Sequence, residues 1–400
     1  MRKPSQTPPP TEFRKALRPN HAPTLSHNRI VDTRLTHRQS IAFRLHRQHL
    51  DRRAPRAKLL TVVSRLCGLH AQVLSSAELT ALCRIENLQP TDIPNALWRD
   101  RTLIKTWAMR ATLHLLPATE YPQWIEVLQR CQAPRSKAWF DWFGITPEQL
   151  GLLTEAVREA TQNRILTREQ LADEVARLTG LANAREKLRQ GWGSLLKPAC
   201  YKGYLCFGPN LGQLTQFTHP GIEPATEPAD AFVTRSFFHA YGPATEREFA
   251  RWLQGGRKNV RHFLQALGEE LAPVDIEGTK ALMLRKDLRA AAKAEPIETV
   301  RLLPAFDQYV FAAGLRSQHF LPGHHHHKSI YKNQGWFAPV LLVDGRMDGT
   351  WNFTRTPKAL RVEIQPFVKP TKRVRKAAEE EAERIAEYMQ RTLELTWQPR

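Results

Sequence analysis

Two stretches of the chain carry a polar and apolar pattern regular enough to predict both structure and chemistry. Leu59-Leu60-Thr61-Val62-Val63-Ser64-Arg65-Leu66 has the apolar period of a helix, and Gly68 stands where helices usually stop. Beyond it, Leu69-His70-Ala71-Gln72 reads as extended chain, in which residues two apart share a face. His70 and Gln72 then point one way, with Leu69 and Ala71 behind them. Some forty residues on, Trp107-Ala108-Met109-Arg110-Ala111-Thr112-Leu113-His114 alternates in its own right. Trp107, Met109, Ala111 and Leu113 fall on one face, and Arg110, Thr112 and His114 on the other. That pattern predicts a half-buried strand with a polar working face. Polar pairs or triads on an apolar backing suit the positioning of a water and a substrate.

Elsewhere the pattern divides the chain. Residues 1–30 are rich in Pro, Arg and polar residues without periodicity and predict a flexible basic tail. Helical spacing begins near Thr36 with Ile41-Ala42-Phe43-Arg44-Leu45. A weak boundary lies near Ala133-Pro134, and the three prolines in residues 219–230 predict a linker. After about residue 298 the texture becomes strand-like. Val300 to Leu303, Tyr309-Val310-Phe311, Val340 to Val343 and Gly349-Thr350-Trp351 read as strands, with Asp344-Gly345 as a two-residue hairpin turn. Asp307 falls in this strand-like region as a buried hydrogen-bonding residue, and Lys372 to Leu395 reads as one charged amphipathic helix.

A faint repeat runs through the helical part. Ile165-Leu166-Thr167-Arg168-Glu169-Gln170-Leu171-Ala172 and Pro243-Ala244-Thr245-Glu246-Arg247-Glu248-Phe249-Ala250 share a capping threonine, an acidic residue in the first turn, then an apolar residue and alanine. Leu74-Ser75-Ser76-Ala77-Glu78-Leu79 is a looser copy. Caps of this kind open helix-turn-helix units. Trp192 to Ala199 followed by Gly203 to Gly208 adds a helix and a short strand pair, the order of a winged helix.

Composition narrows the partner. At 400 residues the chain is long enough for two to four units with a sizeable core. A formal net charge of +20 and a pI near 10.1 imply a polyanionic partner, most often nucleic acid. No apolar run approaches the roughly 20 residues needed to span a membrane. The start, Met1-Arg2-Lys3-Pro4, has no apolar core behind it, which predicts no signal peptide. Five scattered cysteines show neither a metal spacing nor a disulfide framework, so a reducing cytoplasm, close to the nucleoid, is expected.

These pieces resemble the AlkZ/YcaQ-like winged-helix DNA glycosylases of bacteria. The resemblance is carried by Gly68 to Gln72, Trp107 to His114, Tyr241-Gly242-Pro243-Ala244-Thr245 with Phe249-Ala250-Arg251-Trp252, Leu303 to Tyr309, and Val343-Asp344-Gly345-Arg346 with Gly349-Thr350-Trp351. It covers residues from about 30 to 365, and the order of the pieces is more specific than any one of them. It implies an α+β fold, mainly α, of tandem winged helix-turn-helix units with a C-terminal β-rich portion. The corresponding segments are a tail at 1–30, units at 31–133, 134–218 and 231–297, the β-rich portion at 298–371, and a C-terminal helix at 372–400. It also implies a monomer that removes alkylated purines from double-stranded DNA, including bulky or crosslinked adducts, without a cofactor. The family's signature of Gln, a small or aliphatic residue, then Gln or Asp corresponds to His70 and Gln72, with His in place of the commoner Gln. Ala111 stands where the second motif usually has Gly.

The chemistry asks little of these residues. A purine alkylated at N7 or N3 is already cationic and departs neutral, so the protein has to place a water and stabilise an oxocarbenium-like transition state. The Gln72 amide oxygen can orient a water. His70 can accept a hydrogen bond, or act as a base near neutral pH. The alternative is that both residues merely cap a helix end or satisfy buried backbone. Arg110, Thr112 and His114 are candidates for DNA contact or pocket lining, or for a salt-bridged surface strand. His324-His325-His326-His327 lies in a Gly- and Pro-bounded segment without Cys or acidic support, so a solvated or DNA-facing loop is expected there, and no metal site. With no phosphate-binding Gly-rich loop, ATP use is not expected. The competing function is a winged-helix DNA-binding regulator without enzymatic activity.

Overall fold

A computed structural model describes residues 33–132, 135–189, 193–253, 257–312, 319–332 and 335–399. The basic tail expected at 1–30 lies outside them. The fold is mixed α+β, about half helical. Its described residues divide into two compact units, one within 132–221 and one formed by 33–131 together with 222–399. Among the described residues no helix is long and apolar enough to cross a membrane.

The larger unit begins with a helix, His37–Arg47, whose start is set locally. The Thr36 hydroxyl accepts the Gln39 N–H and the Gln39 side chain returns to the Thr36 N–H. The helix Leu59–Arg65 follows and ends through Cys67 and Gly68, both at left-handed φ. Gly68 also has no room for a side chain, because an added Cβ would lie 2.7 Å from the Leu115 carbonyl oxygen and 2.6 Å from Leu116 Cδ2. The chain then enters the short strand Leu69–His70. This strand pairs with Leu113–Pro117, which pairs in turn with Leu103–Trp107, all antiparallel.

The segment Trp107 to His114 is therefore not one strand. Trp107 ends one strand and Leu113 begins the next, with Met109–Ala111 as a tight turn in which Arg110 and Ala111 both have φ 57°. The turn is closed by Ala108 N–H to Thr112 O at 2.9 Å and by the Thr112 hydroxyl to Met109 O at 3.1 Å. Eight alternating residues suit a hairpin as well as a strand, and pairing Trp107 with Leu113 satisfies backbone groups that a single buried strand would leave to other partners.

The repeat is capped in two of its three copies. Thr167 caps Arg168–Thr179 with Gln170, and Thr245 exchanges hydrogen bonds with Glu248 at the head of Glu246–Leu253. In the third, Leu74–Leu82 starts from Val73 without a side-chain cap, because Ser75 and Ser76 already lie inside the first turn. In the larger unit, Asp230–Tyr241, Glu246–Leu253 and Arg257–Leu267 lead into the hairpin Leu271–Ile276 with Thr279–Leu284, and Thr33–Leu35 adds a parallel edge. In the smaller unit, Arg168–Thr179 lies between the strand Ile165–Thr167 and its partner Gln216–Thr218, which also pairs with Cys206–Phe207.

The C-terminal sheet runs in the order Val300–Leu303, Val340–Val343, Arg346–Arg355, Ala359–Pro366, Thr392–Trp397. Asp344 and Gly345, both at positive φ, make the expected two-residue turn. Two sequence expectations are corrected here. Gln308–Ala312 is a helix, not a strand, and Asp307 stands at its head, where its carboxylate accepts the Tyr309 N–H at 2.9 Å. Three apolar residues do not separate the two states, and the cap decides. The last helix spans Lys372–Tyr388 only, after which Thr392–Trp397 joins Ala359–Pro366 in parallel. A parallel neighbour needs a long connection, which this helix supplies.

Candidate active site

His70 and His114 face each other as a directly opposed pair in the ladder, with ring centroids 5.3 Å apart and planes at 74°. Leu69 and Ala71, on either side of His70, are wholly buried, as the alternation requires. Regular pairing ends with Ala71 N–H to Leu113 O at 2.7 Å, and the chain bends at Gln72. Gln72 is exposed, and its side-chain oxygen accepts the Leu113 N–H at 3.4 Å, a long hydrogen bond that leaves the amide group and a second lone pair for other use. His70 is 8 % exposed, and its Nδ1 is buried without a protein partner.

The protonation states follow from burial and one cation. Burial, then Arg110, pushes the His70 imidazolium down to about 3, so His70 is neutral throughout the physiological range. Of the two expectations for His70, this burial favours the neutral hydrogen-bonding group over a base near neutral pH. His114 is held well below its ordinary value by burial, Arg110 and His70. Its Nδ1 lies 3.0 Å from the Thr112 carbonyl, which can only accept, so Nδ1 carries the proton. Nε2 is then the acceptor that faces the Arg110 guanidinium at 3.4 Å.

Arg110 projects from the hairpin turn. It donates to the Trp252 carbonyl at 3.0 Å and lies 4.3 Å above the Phe311 ring. Among the described residues no carboxylate bonds to it, and burial pushes it down to about 10. The Thr112 hydroxyl, by contrast, is spent on closing the turn. Of the five residues singled out from the sequence, His70, His114 and Arg110 thus form one contact group. Gln72 stands at its edge, and Thr112 shapes its backbone.

Residues 304–309 lie against these groups as a strap; the sequence pointed to this stretch and to Asp307 as a buried hydrogen-bonding residue, but not to Phe306 and Gln308 as neighbours of His70 and Gly68. Phe306, at φ 63°, stacks on His70 with centroids 4.8 Å apart and planes at 20°. The Gln308 side-chain amide donates to the Gly68 carbonyl. Between them Asp307 forms two hydrogen bonds with Arg84, at 2.7 and 2.8 Å, with both side chains fully buried. A left-handed Phe is costly and persists where its surroundings hold it, but nothing in the local residue types announces one. That Trp252 and Phe311 hold Arg110 was equally absent from the sequence pattern.

The histidine run is a 3₁₀ turn, His324–His326, that continues into the helix His327–Ile330, and not an irregular loop. His326 stacks on Phe367 and His327 on Tyr331. Among the described residues no group of three or more His, Cys, Asp or Glu side chains could hold a metal ion.

The chain matches the family described as DNA glycosylase AlkZ-like over residues 63–388. It is 35 % identical over 361 residues to an interstrand DNA cross-link repair glycosylase of Streptomyces sahachiroi, covering 87 % of this chain and 95 % of that protein. The solved structure of the Streptomyces sahachiroi DNA glycosylase AlkZ matches with a TM-score of 0.82 at 33 % identity, covering 92 % of this chain and all of that one.

Proposed function

The chain belongs to the AlkZ-like DNA glycosylase family, and from that premise we propose that it hydrolyses the N-glycosidic bond of purines alkylated at N7 or N3 in double-stranded DNA. The cross-link repair assigned to the Streptomyces relative supports extending this to bulky and crosslinked adducts. The observation that carries the reading is the end of the Leu69–His70 strand, where a neutral His70 and an exposed Gln72 stand together beside His114 and Arg110.

In this reading the electrons of the C1′–N bond pass to the cationic purine, which leaves neutral. The sugar becomes oxocarbenium-like, a water adds at C1′, and the water's proton passes to solvent. No strong base is required, which fits a His70 that stays neutral. His70 and the Gln72 amide orient the water, Phe306 fixes the His70 ring, and His114 fixes its neighbourhood. Arg110, carried on the turn and held by a carbonyl and a ring instead of an acid, is available to a phosphate beside the lesion. Thr112 shapes that turn. We further propose that segments 31–133, 134–218 and 231–297 are winged-helix units supporting the DNA. The capped helices and hairpins of 230–284 and the sheet around Arg168–Thr179 support this division. The enzyme then acts as a cytoplasmic, nucleoid-associated monomer without a cofactor.

The test is base release from duplex DNA carrying N7-methylguanine, read as strand breaks at abasic sites after mild base. Gln72→Ala is expected to slow release by about 10²-fold, the scale of one well-placed polar group, with DNA affinity little changed. His70→Gln, the commoner family residue, should retain much of the activity and His70→Ala should not. Parental rates in both alanine variants would move the assignment to Arg110 and His114.

A further inference from the structure

We propose that Trp336 is a specificity-determining residue whose exposed indole face binds the positively charged ring of the alkylated purine. The proposal rests on the glycosylase reading above and adds the means by which lesion charge is sensed. Trp336 is one of the few large apolar side chains left open on the described surface, at 45 % exposed. It is not a stray residue, because its edge contact with Phe306, 4.6 Å between centroids at 67°, places it two rings from His70.

The backbone that carries the Trp336 indole is paired at Trp336 and at Phe337. The Trp336 carbonyl accepts the Lys332 N–H at 2.9 Å, and the neighbouring Phe337 pairs with Tyr331. Phe306 is in turn fixed by its hydrogen bond to the Phe337 carbonyl at 3.3 Å and by the buried Arg84–Asp307 pair next to it. A rigid aromatic face beside the reacting groups costs little to organise on binding.

Charge explains why an aromatic ring belongs there. The cation nearest the site is Arg110, and the groups acting on His70 and His114 are Arg110 and the two imidazoles, with no carboxylate among them. A cationic purine beside these two rings therefore meets the Arg110 cation and, among the described residues, no carboxylate that acts on them. The negative face of an indole attracts a flat cation without carrying charge itself. Because the base turns neutral as the bond breaks, this attraction weakens along the reaction. Trp336 then contributes to binding of the lesion and to release of the product more than to the bond-breaking step.

The experiment compares three duplexes of one sequence. One carries 2′-fluoro-N7-methyl-2′-deoxyguanosine, cationic and kept intact because fluorine disfavours the oxocarbenium ion. The second carries 7-methyl-7-deaza-2′-deoxyguanosine, a neutral isostere, and the third unmodified guanine. The parent protein should bind the cationic duplex about 5-fold more tightly than the isostere, within the range of a cation–π contact. Trp336→Ala should remove that preference without weakening binding to the unmodified duplex, and Trp336→Phe should keep part of it. In base release from N7-methylguanine DNA, Trp336→Ala should raise the half-saturating concentration and leave the saturated rate within about 2-fold. An unchanged cation-to-isostere ratio in Trp336→Ala, or equal weakening on all three duplexes, overturns the proposal. Base release by the parent protein is measured first, so a failure of the glycosylase reading is distinguishable from a failure of this one.

Discussion

Asp307→Ala is the perturbation that most directly tests how the site is held. Arg84 and Asp307 are both 0 % exposed, and the carboxylate takes both terminal nitrogens of the guanidinium while also accepting the Tyr309 N–H. Deleting the carboxylate leaves a buried cation that still donates to the Thr80 carbonyl, at 3.0 Å. Stranding one partner of a buried pair costs about 3–5 kcal/mol, which for a unit of this size corresponds to a drop in Tm of roughly 10 °C. Asp307→Asn keeps the shape and one acceptor and should cost about half as much. Removing both charges, as Arg84→Met with Asp307→Leu, should recover most of the loss, because the buried cation is gone with its partner. Urea unfolding followed by circular dichroism measures all four proteins. The strap also carries Phe306 and Gln308 against His70 and Gly68, so the folded fraction of Asp307→Ala should release base more slowly than the parent at low temperature. An Asp307→Ala protein within about 1 kcal/mol of the parent, or a double variant as unstable as the single one, would refute the reasoning.

Other expectations follow from single features. With His70 neutral down to about pH 3 and His114 held well below its ordinary value by burial and Arg110, base release should show no limb near pH 6.5 from either ring, and a limb there in the parent that His70→Gln abolishes would count against a neutral His70. Both values are depressed below that of the unfolded chain, so the unfolded state binds more protons between them. Stability should therefore be complete above about pH 6.5 and be lost as pH falls toward 3, which urea midpoints across pH would read. Ala111→Gly, at φ 57°, should stabilise the protein by up to about 1 kcal/mol, the left-handed strain relieved less the entropy of glycine. Gly68→Ala should destabilise by about 3 kcal/mol through the clash with Leu115 O, and thermal melts compare the two. Arg52 and Lys58 are exposed beside an open cleft that His46, His49 and Arg65 also line. Replacing either by Ala should lower the slope of log affinity against log salt by about 1 without changing the saturated rate. An unchanged slope would remove that cleft from the DNA-binding surface.

Much of the site was legible from residue order. Gly68 as the end of a helix, the capping threonines at 167 and 245, and the Asp344-Gly345 turn all rest on interactions spanning four residues or fewer, which residue type alone specifies. The alternation likewise predicts the buried Leu69 and Ala71 that flank His70, whereas Gln72 lies past the end of regular pairing, where the chain bends. What was not legible depends on residues far away in sequence. The hairpin at 107–114, the helix at 308–312 and the strand at 392–397 were each decided by which partner satisfies the backbone. The neutrality of His70 and His114 comes from burial, for His70 under a strap more than two hundred residues later, and from an arginine on a turn. Local pattern determines where elements start, stop and show their faces, because those terms are set by near neighbours. Desolvation and pairing sum over everything that packs around a group, and only the tertiary structure supplies that sum.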